Sequence, residues 1–137
     1  MNRAISAAII LSSLSVPALA QTNSITIDRA VLQAKGVAVT VFATVNCTAP
    51  DGFPETSLSL SLSQVIPKEK TINRAGQAIG ITCSGIPQPV TIKIDPLVNP
   101  FRSGVAFYGA DIFACIPDFS SCVIIAQASG EIRITQR

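Results

Sequence analysis

The chain has 137 residues, 48% of them apolar, and a formal net charge of +2. It is too apolar and too weakly charged for a disordered polymer, and too neutral for charge-driven nucleic-acid binding. Histidine is absent, which removes the commonest general base, the His-dependent triads and His-ligated metal sites.

The first element is a leader. Arg3 gives a positive start, Ala4 to Val16 form an apolar stretch around Ile9, Ile10 and Leu11, and Ala18-Leu19-Ala20 is an A-x-A cleavage site. That order predicts a secretory signal peptide over 1–20, cleaved before Gln21. The apolar part is too short, and too interrupted by serines, to span a bilayer well. Gln21 stands where a lipid-anchored protein would have cysteine. The expectation is an exported chain, residues 21–137, forming one β-sandwich domain with no transmembrane anchor.

Beyond the leader the dominant period is two, the signature of half-buried strands. Ile25 and Ile27 suggest an opening edge strand, and Lys35-Gly36 a tight hairpin. Val37, Val39, Val41, Ala43, Val45 and Cys47 share one face of the next strand. Residues 49–54 form a loop. Leu58, Leu60 and Leu62 alternate strictly with Ser57, Ser59, Ser61 and Ser63, and Ile66-Pro67 ends that run. Ala75-Gly76 and Ser84-Gly85-Ile86-Pro87 read as turns, with Ile79, Ile81 and Cys83 alternating between them. Val90, Ile92 and Ile94 repeat the pattern. Asp95-Pro96 and Asn99-Pro100 bracket a longer loop closed by Ser103-Gly104. Val105 to Ala114 is apolar on both parities, with Ala106, Tyr108, Ala110 and Ile112 taken as inward. Ile132 and Ile134 alternate near the end. Seven to eight short strands with frequent turns predict an antiparallel β-sandwich.

Four cysteines in an exported chain predict two disulfides. Of the three pairings, Cys47 with Cys83 and Cys115 with Cys122 suit the pattern best. The first two each end an alternating run, and the last two bracket a six-residue hairpin loop. A four-cysteine zinc site is disfavoured by the absence of C-x2-C spacing and by export.

Three stretches carry a family resemblance: Ser57-Leu-Ser-Leu-Ser-Leu-Ser-Gln64, Ile81-Thr-Cys-Ser-Gly-Ile-Pro-Gln-Pro-Val90, and Phe101-Arg-Ser-Gly104 with Ala106 and the Cys115-x6-Cys122 spacing. Together they resemble a family of small secreted bacterial domains with an immunoglobulin-like sandwich and no assigned activity. The resemblance implies architecture and framework only. It carries over no catalytic or binding residue.

Few residues offer chemistry. The strand serines are explained by a solvent face, and a Ser–Lys pair with Lys68 or Lys93 has nothing further in its favour. Asp51 with Glu55, and Asp111 with Asp118, are read as solvated turn acids, with no EF-hand spacing. Lys68, Lys70 and Arg74 form a basic cluster around Glu69, either a solvated hairpin that discourages edge pairing or a contact for an anionic envelope polymer. The best binding candidate is the loop between Cys115 and Cys122, with Ile116, Pro117 and Phe119. A restrained turn lowers the entropy cost of docking and an exposed aromatic makes an anchor. Phe119 either plays that part or folds back to cap the sandwich. Phe53 is a second candidate of the same kind. The function expected is an exported, non-enzymatic binding or envelope-associated module. It would need no metal or cofactor, and its partner would be a protein or a cell-envelope polymer. The alternatives are a small-molecule carrier resembling chromoprotein apoproteins, or a protease inhibitor that uses the Cys115–Cys122 loop.

Overall fold

The computed structural model describes residues 23–137, so the predicted leader over 1–20 lies outside the described residues. Among these residues there is no α-helix. Seven strands follow in order: β1 (Ser24–Gln33), β2 (Ala38–Asn46), β3 (Glu55–Ile66), β4 (Thr71–Gly80), β5 (Gln88–Ile94), β6 (Gly104–Cys115) and β7 (Cys122–Gln136). They form one mixed sheet in the order β4-β3-β6-β7-β1-β2-β5. Neighbours are antiparallel except β1 and β7, which pair in parallel through Ala30 with Ile134, Val31 with Thr135 and Leu32 with Gln136.

The sheet curls until its two outer strands, β4 and β5, come close. One core fills the inside of the curl. From β2 and β5 it takes Val39, Val41, Val45, Ile92 and Ile94. From β3 and β6 it takes Leu58, Leu60, Leu62, Ala106, Ala110 and Ile112. Every second residue along these strands points inward, so the alternation in the sequence becomes the core directly.

Four expectations are corrected. β1 is no edge strand: β2 lies on one side and the end of β7 on the other. The sheet is mixed, because β1 and β7 run parallel. Val37 is exposed and precedes β2, whose first residues, Ala38 and Val39, are both buried. Ala75-Gly76 is not a turn but the middle of β4, paired with Leu62 and Ser61. A Cβ on Gly76 would come within 3.2 Å of the Leu60 carbonyl oxygen, so this glycine serves the close approach of β3 and β4 rather than a reversal. β4 accordingly begins at Thr71 and ends at Gly80, before Ile81 and Cys83.

The β1–β2 connection is the short 3₁₀ turn Ala34–Gly36. Gly36 has φ +89°, and a Cβ there would lie 2.3 Å from the Phe101 carbonyl oxygen. Only glycine fits this contact. It lets the Phe101 N–H donate to the Gly36 carbonyl at 3.2 Å, tying the β5–β6 connection to this turn.

Two buried amides hold the same connection from the other side. The Gln64 side chain donates to the Arg102 carbonyl at 2.8 Å and accepts from the Arg102 N–H at 2.9 Å. The Asn73 side chain donates to the Pro100 carbonyl at 2.9 Å. Each supplies partners to loop backbone that would otherwise be desolvated without them. Residues 95–103 are therefore anchored at their base, although they have no regular structure.

Candidate functional site

Both disulfides lie at the same end of the curled sheet. Cys47 and Cys83 join the residue after β2 to the β4–β5 connection, with Cα atoms 4.8 Å apart. The Thr48–Ser84 bridge and the Gly85 N–H donating to the Cys47 carbonyl at 2.8 Å bind the same two segments. Cys115 and Cys122 close the β6–β7 hairpin, with Cα atoms 4.1 Å apart.

The Cys115–Cys122 loop is tightly specified. The Phe119 N–H donates to the Ile116 carbonyl at 2.9 Å, and the Ile116 N–H to the Ser121 carbonyl at 3.0 Å. The Asp118 carboxylate accepts from the Ser120 N–H at 3.0 Å and from the Ser120 hydroxyl at 2.8 Å. This is an Asx-type turn, in which the aspartate side chain stands in for a backbone acceptor. Phe119 completes it in the left-handed region, at φ +58°. That conformation costs a non-glycine residue about 1–2 kcal/mol.

Phe119 does not fold back onto the sheet. It is 65% exposed. Pro117 is exposed and Ile116 half-buried. Phe53 is half-buried in the connection before β3. The pairing of Glu55 with Cys115 brings that connection and the Cys115–Cys122 loop to one end of the sheet. Ile86, also exposed, belongs to the β4–β5 connection at this end. Ile86 carries no signal of its own in the sequence, because Gly85 and Pro87 mark the segment only as a turn.

The acids of this end are Asp51, Glu55 and Asp118. No lysine or arginine occurs between Lys35 and Lys68, between Arg74 and Lys93, or between Arg102 and Arg133. Those intervals contain every connection at the disulfide end. Asp111 lies further along β6, where its carboxylate accepts from the Gln127 amide at 2.8 Å.

The Ser120 hydrogen bonds hold the Asp118 carboxyl below its ordinary value, the backbone N–H first and the hydroxyl second. The folded value is thus lower than the unfolded one. The contribution of this carboxylate to the turn is present above the usual aspartate range and is lost as pH falls through and below it. In an NMR titration the Ser120 amide is expected to move with a midpoint below that of a free aspartate, and the step to vanish in Asp118→Asn. A midpoint at the ordinary value would contradict the turn geometry.

Among the described residues no group of three or more His, Cys, Asp or Glu side chains is placed to hold a metal ion. All four cysteines are disulfide-bonded. No family model matches the chain, and no curated protein matches it.

Proposed function

We propose that this chain is an exported, non-enzymatic binding module on an immunoglobulin-like scaffold, with the Cys115–Cys122 loop as its contact tip. The observation that carries the reading is Phe119. A disulfide-closed hairpin holds an aromatic ring in solvent, on a backbone conformation that disfavours bulky residues such as phenylalanine. Strain and apolar exposure at one residue are costs to the fold, and such costs gather where a site is preorganised for a partner. Ile116, Pro117 and Phe53 extend the apolar contact. The surrounding acids suit a protein partner that offers an apolar pocket bordered by cations.

Export is supported by the two disulfides, which persist in oxidising compartments, together with the leader-like residues 1–20. The immunoglobulin-like reading is supported by the strand order. Two antiparallel groups, β4-β3-β6-β7 and β1-β2-β5, enclose one core and meet at the parallel β1–β7 pair. The inhibitor alternative is less well served, since the loop forms a tight turn around Asp118 rather than an extended bait.

Phe119→Asn separates a binding role from a structural one. Asparagine tolerates the left-handed conformation, so the variant is expected to be neutral or up to about 1 kcal/mol more stable. Its saturable binding to the surface of the producing cells that survives a high-salt wash should fall at least about tenfold, as for loss of an aromatic anchor. Phe53→Ala should weaken binding less. A destabilised Phe119→Asn variant that binds like the wild type would mean that the ring serves only the fold.

A further inference from the structure

The opposite end of the molecule has a different character. It carries the Ala34–Gly36 turn, the β3–β4 hairpin and residues 95–103. Lys35, Lys68, Lys70 and Arg102 lie in these connections, and Arg74, Lys93 and Arg133 lie on strands within a few residues of them. The acids in the connections are Glu69 and Asp95, and both are already paired: Glu69 with Arg102, and Asp95 with Lys93 at 3.4 Å. Glu131, further along β7, is the remaining acid of this half. Lys35, Lys68, Lys70 and Arg74 form no ion pair among the described residues. With Asp51 and Asp118 in the connections at the disulfide end, Glu55 beside them at the start of β3, and no cation in those connections, the chain is electrically polarised along its strands despite a net charge of only +2.

The same end exposes large aliphatic side chains. Leu97 is 80% exposed and Val98 86%, at the tip of the loop whose base is fixed by Gly36, Gln64 and Asn73. Ile72 and Val65, cross-strand partners in the hairpin, are also exposed. Cations and aliphatics are interleaved. Ile72, Arg74, Leu97 and Val98 share one surface recess of about 360 Å³. Val65, Lys68, Arg102 and Val105 share a second of about 440 Å³.

We infer that this end docks on an anionic lipid surface, with Leu97 and Val98 entering the headgroup–acyl boundary and the basic residues facing the phosphates. A soluble polyanion would use the charge but gain nothing from two protruding aliphatics. A bilayer interface uses both. The anchored loop base limits the ordering cost of insertion. This surface lies at the opposite end from Phe119 and does not depend on the reading of that loop. Docking here would leave the Cys115–Cys122 tip pointing away from the membrane.

The test is co-sedimentation of the full chain, as purified from its producing cells, with vesicles of pure phosphatidylcholine and of phosphatidylcholine mixed with phosphatidylglycerol. Binding is expected to the anionic vesicles only and to weaken with added salt. Leu97→Ser with Val98→Ser should weaken it at least about tenfold. Lys68→Gln with Lys70→Gln should weaken it roughly 25-fold, about fivefold per lost cation. These positions are exposed, so matching thermal melts will show that the variants fold. No binding to anionic vesicles by the wild type would overturn the inference. So would unchanged vesicle binding by the Leu97 and Val98 variant with equal capture on dextran sulfate, which would mark a polyanion site instead.

Discussion

Replacing Cys47 and Cys83 together with alanine is expected to be the most damaging covalent change, lowering stability by about 4 kcal/mol. The bond spans 36 residues, and the entropy that a cross-link removes from the unfolded chain grows with the logarithm of the loop it closes. The Cys115–Cys122 bond spans 7, and its loss should cost about 2.5 kcal/mol on the same argument. The difference is amplified by position. Cys47 is 2% exposed and part of the core, whereas Cys122 is exposed. Thermal melts should show a fall of roughly 15 °C for the Cys47 and Cys83 double variant, and clearly less for the other pair. Equal falls would mean that the Cys115–Cys122 hairpin is part of the framework rather than an appended tip.

Leu60→Ala is expected to cost about 3 kcal/mol, within the roughly 2–5 kcal/mol range for buried leucines. Leu60 is fully buried at the centre of β3, between β4 and β6. Its strand neighbour Ser61 faces the other way, its hydroxyl 3.3 Å from the Gly109 carbonyl oxygen. Ser61→Ala should stay within about 0.5 kcal/mol of the wild type. Denaturant melts of the two variants measure the asymmetry of this strand directly. A large loss at Ser61, or a small one at Leu60, would contradict the inward register of β3.

That asymmetry was legible in the sequence, because Leu58, Leu60 and Leu62 alternate with serines without interruption. β6 was legible for a subtler reason. Its inward set, Ala106, Ala110 and Ile112 with Tyr108 half-buried, had to be chosen from a run apolar on both parities. Its outward set includes the exposed Phe107 and the half-buried Phe113. The start of β4 was not legible. Ala75-Gly76 mimics a turn, and only the backbone of β3 a few ångströms away explains the glycine. The parallel β1–β7 pairing was equally hidden, since three paired residues at two strand ends leave no local pattern.

The candidate sites divide in the same way. Cysteine spacing located the Cys115–Cys122 loop, but spacing could not say which way Phe119 points. That depends on the Asp118–Ser120 turn and the left-handed backbone. Lys68, Lys70 and Arg74 were visible as a basic cluster. In the sequence Leu97 and Val98 are only loop residues between prolines. Their relation to the cluster exists only in three dimensions, where the side chains of Gln64 and Asn73 pin the loop beside the hairpin.

The most direct measurement is fractionation of the producing cells, comparing the wild-type chain with Phe119→Asn before and after a high-salt wash. The wild-type chain is expected to be processed before Gln21 and found outside the cytosol. Part of it should stay on the envelope after salt has removed the electrostatic lipid contact, and Phe119→Asn should lose that salt-resistant part. A wild-type chain recovered from the cytosol, or the same salt-resistant fraction in both forms, would contradict this expectation.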